Sequence, residues 1–327
     1  MPATLRCLLF FVLALALCGA LEAQQPKKLP RIGYLAAVSA SADAPRLEAF
    51  RQGLRELGYV EGQSIVIEYR HEDRAFDRLP VLAAELVNSR IDVLVAVTSN
   101  AAIAAAKNAG STPVVFMGVT DPIGAGLVDS LAHPGRNATG ITNMAAVLTG
   151  KRLELLKSLL PNVSHVAVLW DPKAPGSIPQ WEESQSPARE LGLQLYSMEV
   201  STVDRYETAF KDAVASGNTA VWVTLNPLAN SNQRLIAELA LKHRLPSICA
   251  RSDYADNGCL MAYGPGYSIE GRDGARYVDR ILKGAKPAEI PVEQPTKFEL
   301  VFNLQTAKLL DIAVPQPMLY QADRVID

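Results

Sequence analysis

Chemistry-bearing residues are scarce in this sequence. It holds four cysteines and four histidines among 327 residues. His71, His133, His165 and His243 are scattered, and none has a Cys, Asp or Glu at metal-ligand spacing. HExxH, CxxC and GxSxG are absent. GxxxxGKS/T is absent too: Gly150-Lys151 has Ala145 where the upstream glycine would stand, and Arg152 follows. "GPGYSIEG", Gly264–Gly271, does not have the spacing of GxGxxG. Asp92, Asp121, Asp171 and Asp253 are acid–base candidates by type, but nothing in the sequence sets a separation between any two of them. The expectation is a protein that is not an enzyme and carries no metal or cofactor. Charge of one sign is also missing. The net charge is −2, 20% of residues are charged, and no long block of one sign occurs. That argues against a nucleic-acid partner, an anionic membrane surface or extensive disorder.

Only the N-terminus has a long apolar run. "MPATLRCLLFFVLALALCGALEAQQPKK" opens with Arg6, runs apolar from Cys7 to Leu21, then reaches Glu22-Ala23 and a polar stretch. This is the pattern of a secretory signal. The run is about 15 residues, short of the roughly 20 that a spanning helix takes. Residues 1–23 are read as a signal peptide cleaved after Ala23, leaving a periplasmic protein that starts at Gln24. An uncleaved anchor helix is one alternative. A lipoprotein at Cys18, behind the bulky Leu17, is the other. Cys249 and Cys259 are then the cysteines of the mature chain. In an oxidising compartment they could pair and close a short loop, or simply be small buried residues.

What the chain does have is alternation. A length of 327 residues with 49% apolar content predicts two domains. "RIGYLAA", "SIVIEYR", "IDVLVAVT", "TPVVFMGV" and "ATGITN" read as strands. "VSASADAP" reads as a loop. Helices are expected over Arg46–Leu57, over Asp77–Ser89 with Asp77 as cap, and along "SNAAIAAAKNAG". The pattern then restarts. "SHVAVLWDP", "QLYSMEV", "TAVWVTLNP" and "LPSICA" are strands, and helices lie over Gln180–Leu191, Val203–Ser216 and Asn232–His243. "RELG" stands at Arg55–Gly58 and again at Arg189–Gly192. Thr98 aligns with Thr224 and Pro113 with Pro246 at similar offsets, so one α/β unit is built twice. Strands apolar on both faces imply parallel sheets covered on both sides. After Cys259 come a strand "CLMAYG", a helix Ile269–Lys283, a strand "KFELVFNL" and a short helix "TAKLLDI", before a Pro-rich and then polar tail. One extra unit per lobe requires the chain to cross between lobes several times. The fold class is α/β: two doubly wound parallel-sheet lobes joined by a multi-crossover hinge.

Ligands of open parallel sheets sit beyond the carboxyl ends of the strands. The residues there are Thr98, Ser99 and Asn100 at a helix N-terminus, Thr120 and Asp121, Thr142 with Asn143, Asp171, Thr224 with Asn226, and Arg251 with Asp253. Small hydrogen-bonding groups on two facing rims suit a small polar ligand. Singly, each has a plainer reading as a helix cap or an Asp-Pro turn.

Long stretches of the chain resemble a known family. They include "FRQGLRELGYVEGQSIVIEYR", "TPVVFMGVTDPIGAGLVDSLAHPGRNATGIT", "KRLELLKSLLP" and "PVEQPTKFELVFNLQTAKLL", and nearly the whole mature chain is covered. The family is the ABC-transporter substrate-binding proteins of the aromatic amino-acid-binding type. The resemblance implies a type I periplasmic-binding-protein fold, with lobe 1 from 30–143 plus 262–292 and lobe 2 from 144–261 plus 293–327. It implies a monomer that captures a small-molecule ligand in the cleft and hands it to an ABC transporter permease. By motif, Thr98, Ser99, Asn100, Thr120 and Asp121 match the first-lobe binding loops, and Asn226 and Asp253 fall in those of the second. Well-characterised members bind tryptophan, phenylalanine or tyrosine. Aromatics are only 6% of this chain, with Tyr254 and Tyr263 nearest the loops, so a smaller or more polar solute is the alternative ligand. A ligand-sensing domain for a membrane receptor and a periplasmic hydrolase are the alternative functions.

Overall fold

The computed structural model describes residues 29–72 and 75–327, so the expected signal peptide lies outside the described residues. Strands β1 (Arg31–Ala36), β2 (Val66–His71), β3 (Val93–Val97), β4 (Val114–Val119) and β5 (Ala138–Thr142) form a parallel sheet in the order β2-β1-β3-β4-β5. Strands β6 (His165–Trp170), β7 (Gln194–Glu199), β8 (Ala220–Val223), β9 (Ser247–Cys249) and β10 (Met261–Gly264) repeat that order as β7-β6-β8-β9-β10 in a second sheet. There β11 (Glu299–Asn303) adds antiparallel to β10, and β12 (Arg324–Ile326) adds parallel to β11. The unit is indeed built twice. β12 lies in the polar tail and has no apolar alternation to announce it.

The helices are α1 (Ala40–Glu56), α2 (Leu79–Asn88), α3 (Thr98–Asn108), α4 (Thr149–Leu159), α5 (Ile178–Glu190) and α6 (Tyr206–Ala215). Then come α7 (Pro227–Ser231), α8 (Gln233–Lys242), α9 (Asp253–Asp256), α10 (Tyr267–Leu282), α11 (Leu304–Leu309) and α12 (Gln316–Gln321). Alternate strand residues feed opposite cores. In the first sheet Ile32, Tyr34, Val95 and Met117 pack with Phe50 and Val278 of α1 and α10, while Leu35, Leu94, Ala96 and Phe116 pack with Leu82, Leu86 and Ala102 of α2 and α3. The second sheet divides the same way. The two RELG stretches end equivalent helices. Gly58 and Gly192 take φ of 88° and 66°, and Tyr59 and Leu193 donate back to the carbonyls of Leu54 and Ala188 at 2.9 and 2.8 Å.

Two local expectations are corrected. "VSASADAP" is mostly helix: Ser39 caps α1 by accepting from the Ala42 amide at 3.2 Å, and Pro45 sits inside it. The proline deprives the Ser41 carbonyl of its helical partner, but Ser41 is exposed to water. Asp77 is not a cap. It lies in a 3₁₀ turn, Phe76–Arg78, and α2 starts at Leu79 with a proline in its first turn, which removes a donor that a cap would serve.

The chain passes between sheets after β5, after β10 and again before β11. The edge expected at 262 falls inside β10, which pairs with β9 and β11, so the second passage follows Gly264. Helix α10 then packs on α1 of the first lobe. A Cβ on Gly271 would come within 2.4 Å of the Arg46 carbonyl oxygen, so this glycine of "GPGYSIEG" permits close helix packing. On the last passage Glu293 pairs with β5: its amide donates to the Gly140 carbonyl at 3.0 Å, and its carbonyl accepts from Thr142 at 3.0 Å. The first two passages are gathered by Arg152 of α4, which is fully buried. It donates to the carbonyls of Ala145, Tyr263 and Ala250 at 2.6, 2.9 and 3.1 Å. Burial pushes this guanidinium's pKa down to about 9, which leaves it charged at neutral pH.

Cys249 and Cys259 form a disulfide, which settles the two readings left open by the sequence. It closes the loop that carries Arg251, Asp253 and Tyr254. Replacing both cysteines with alanine is expected to cost about 2–3 kcal/mol through the freer unfolded chain. Urea unfolding measures this directly, and an unchanged midpoint would mean the bridge does not constrain the fold.

Candidate functional site

Both sheets reverse strand order at the same place, between β1 and β3 and between β6 and β8. Such a switch point leaves a crevice at the carboxyl ends of the strands. Here the two crevices face each other across a cleft. The innermost pocket between the two walls is about 20 Å³, room for on the order of one or two waters, and beside it a wider opening of about 600 Å³ lies between Ser41, Ala42 and Pro45 of the first lobe and Asn230, Asn232 and Asp253 of the second.

The first-lobe wall is Arg46, Thr98, Ser99, Asn100, Gly118, Thr120 and Asn143. Thr98 opens α3 directly after β3, at φ 79°. A β-branched residue rarely adopts that conformation, and such strain gathers at functional sites. The Thr98 hydroxyl and the Asn100 amide oxygen are buried without a protein hydrogen-bond partner. Ser99 is already engaged, accepting from the Thr120 amide at 3.3 Å. Asn143 is committed to the hinge. It donates to the Gly118 carbonyl at 2.9 Å and to the Thr120 hydroxyl at 3.3 Å, and accepts from the Ala145 amide at 2.9 Å.

The second-lobe wall is Gly176, Leu225, Asn226, Pro227, Asn230 and Arg251. Asn226 caps α7, accepting from the Ala229 amide at 2.9 Å. Asn230 accepts from the Tyr254 hydroxyl at 2.7 Å. Arg251 is buried, held by Asp253 through Nε at 2.5 Å and Nη2 at 3.0 Å.

Thus Thr98, Ser99, Asn100, Thr120, Asn143 and Asn226 come together on the inner pocket, while Asp121 and Asp171 do not line the cleft and Asp253 lines only its wider opening. Asp121 accepts from the Gly124 amide at 2.8 Å, the work of a turn residue. Asp171 is buried and accepts from the Lys173 amide and the Ser201 hydroxyl, at 2.9 and 2.5 Å, organising its own loop. Asp253 lies behind the wall as the partner of Arg251. Arg46, Gly176 and Asn230 join the wall without having been anticipated. Arg46 and Asn230 come from helix interiors or ends, where reading strand ends alone cannot find them.

Arg46 carries most of the site's electrostatics. Its guanidinium donates to Asp43 and to Glu270 of α10, both at 3.0 Å, with all three residues buried. Tyr34 donates to Asp43 at 2.8 Å, and His71 lies 3.3 Å from the same carboxylate. Burial acts to raise the Asp43 carboxyl. It is outweighed by the His71 hydrogen bond, the Arg46 charge and the Tyr34 hydrogen bond, so Asp43 titrates below the usual range. Burial first, and then the Asp43 charge, push the Tyr34 phenol well up.

Residues 31–326 match the family described as ABC transporter substrate binding protein. Over 290 residues the chain is 25% identical to a tyrosine-binding protein of Clostridioides difficile (strain R20291), covering 88% of this chain and 82% of that one. Its fold superimposes with a TM-score of 0.87 on a conserved domain protein of Vibrio cholerae, at 26% identity over 91% of this chain and 100% of that one. It superimposes with a TM-score of 0.85 on an ABC domain from Streptococcus pneumonia in complex with L-Trp, at 27% identity over the same shares, 91% and 100%.

The Asp43 cluster yields a pH prediction. A carboxylate whose folded pKa is depressed adds stability above its unfolded value, about 3.9, and loses it as pH falls through the folded value. Asp43→Asn is expected to cost on the order of 3 kcal/mol at neutral pH, because it breaks a buried ion pair. The gap to the parent protein should narrow below about pH 4. Denaturant unfolding at a series of pH values measures it, and a gap that stays constant from neutral to acid would refute the assignment.

Proposed function

The chain belongs to the ABC transporter substrate-binding protein family, and on that premise we propose that it captures a small amino acid or similar solute between its lobes and delivers it to the permease of an importer. The observation that carries the ligand reading is the pair of buried, unpartnered polar atoms on the first wall, Thr98 Oγ1 and Asn100 Oδ1. Buried polar groups are normally satisfied within a protein, and an exception invites a ligand atom. They stand at the N-terminus of α3, where free amides and the helix dipole favour a carboxylate. The Asn100 amide oxygen, an acceptor, suits an ammonium group, so the wall fits the two ends of an amino acid. In this reading Ser99, Thr120 and Asn143 shape the pocket from one lobe, and Asn226 and Arg251 close it from the other.

The relatives named for tyrosine and bound to L-Trp support an amino-acid ligand. The second wall favours a smaller or more polar side chain than theirs. Its apolar members are Leu225 and Pro227, and among the described residues no ring lines the cleft. We place the protein in the periplasm after signal cleavage, working as a monomer that binds and releases its ligand unchanged.

Native mass spectrometry of protein purified without added ligand, followed by denaturation, is expected to release one small amino acid per chain. Asn100→Ala should weaken binding of that solute roughly ten-fold or more, the usual loss for a hydrogen bond to a charged group. Calorimetry reads that change. An empty protein whose melting point shifts with no amino acid would sink the reading.

A further inference from the structure

Gly176, in the loop after β6, touches the opposite lobe. A Cβ placed on it would lie 2.9 Å from Ser99 Oγ, 2.9 Å from Thr120 Oγ1 and 3.5 Å from Ser99 Cβ. Its own backbone does not explain the glycine, because Gly176 is not among the residues with positive φ. The constraint comes from across the cleft.

Neither side can give way easily. The Gly176 carbonyl accepts from Gln180 Nε2 at 2.6 Å, and Gln180 is fully buried. The same side chain donates to the Leu225 carbonyl at 2.8 Å and accepts from its amide at 2.9 Å, so one residue fixes two segments of the second wall. Next to it, the Ser177 hydroxyl accepts from the Asp171 amide at 3.0 Å and meets the Thr224 hydroxyl at 3.0 Å. On the first wall, the Thr120 amide donates to Ser99 Oγ and the Thr120 hydroxyl accepts from Asn143, both at 3.3 Å. A second inter-lobe contact stands nearby, where the Ser39 amide donates to Ser231 Oγ at 3.2 Å.

We propose that Gly176 is the seat on which the lobes close: its bare backbone receives Ser99 and Thr120, and the missing side chain sets how far the cleft shuts and so how large a solute it can enclose. The proposal rests on the two-lobe capture reading. It concerns the geometry of closure rather than the identity of the ligand. A methyl group at 176 forces the facing hydroxyls to yield by a few tenths of an ångström, and a branched side chain wedges the lobes apart.

The test reads closure on protein unfolded, dialysed free of any bound solute and refolded. In a Ser39→Cys, Ser231→Cys background, mild oxidation is expected to join the two lobes, scored by mass after proteolysis. Adding Gly176→Val should slow that cross-linking roughly ten-fold or more, in line with the penalty for overpacking a tight contact. Gly176→Ala should slow it less. The melting temperature should stay unchanged. So should the near-ultraviolet signal of the Trp170–Trp181 stack, whose rings flank this loop with centroids 5.5 Å apart. If Gly176→Val fails to fold, Gly176→Ala carries the comparison. Equal cross-linking rates with glycine and valine would overturn the proposal. So would failure of the cysteine pair to join when glycine is present. Since bound solute is removed beforehand, a protein that binds no amino acid leaves this result intact, and the two readings fail separately.

Discussion

The architecture depends on one buried cation. Arg152 is placed where the chain leaves the first sheet and where it leaves the second, and its partners are main-chain carbonyls rather than a carboxylate. A guanidinium presents five donors in a rigid plane, which suits it to gathering carbonyls that arrive from different directions. Without it, the Ala250 and Tyr263 oxygens would each lose a charged donor, a cost of roughly 1–3 kcal/mol, and Ala145 would keep only the Thr149 hydroxyl at 3.3 Å. Gly264, the last residue of β10, has no room for a side chain, since a Cβ there would sit 2.1 Å from the Ala250 oxygen. The second passage is thereby pressed against the arginine. Arg152 thus ties α4 to the ends of β9 and β10.

Around that knot, most polar groups of the cleft walls are held by partners in their own lobe. Gln180 fixes the loops of Gly176 and Leu225 together, and the disulfide closes the loop of Arg251. Asn226 caps its own helix. Rigid walls matter because a two-lobe clamp discriminates only by contacts made to both faces at once. A wall that could rearrange to pair its own groups would respond to closure without a ligand. The Thr98 hydroxyl and the Asn100 amide oxygen stand out against this background of completed pairing, and the φ of Thr98 shows the backbone held away from its relaxed form to present them.

The repeat, the parallel sheets and the crossing hinge were legible in the sequence because they rest on periodicity and on helix stops. Gly58 and Gly192 end their helices in the same left-handed conformation, and the strand orders agree. The start of α1 was not legible, because Ser-Ala-Ser-Ala-Asp-Ala-Pro has loop composition and its helix is set by one cap and by Arg46 packing on α10. Of the rim residues, those at strand ends were found because topology alone places them. Asp121 and Asp171 were misplaced because an aspartate after a strand serves a turn as readily as a ligand. Arg46 escaped notice because its partner Glu270 lies far away in sequence and meets it only once α10 has crossed back.

The distribution of charge bears on what the cleft can hold. Arg46 answers to Asp43 and Glu270, and Arg251 to Asp253, each within its own lobe. Neither cation brings an uncompensated charge to the ligand, so a bare anion has no ion pair to gain that would offset its lost hydration. A zwitterion is better matched. Its two charges can be met by the dipole of α3, the Thr98 hydroxyl and the amides of the rims, without disturbing either buried pair. Such contacts are short-ranged and individually weaker than an ion pair, and those from the second wall are lost once the lobes separate. A protein that must hold its solute in transit and release it when opened is better served by them than by a salt bridge to one wall, which would keep the solute on that lobe after the cleft had opened.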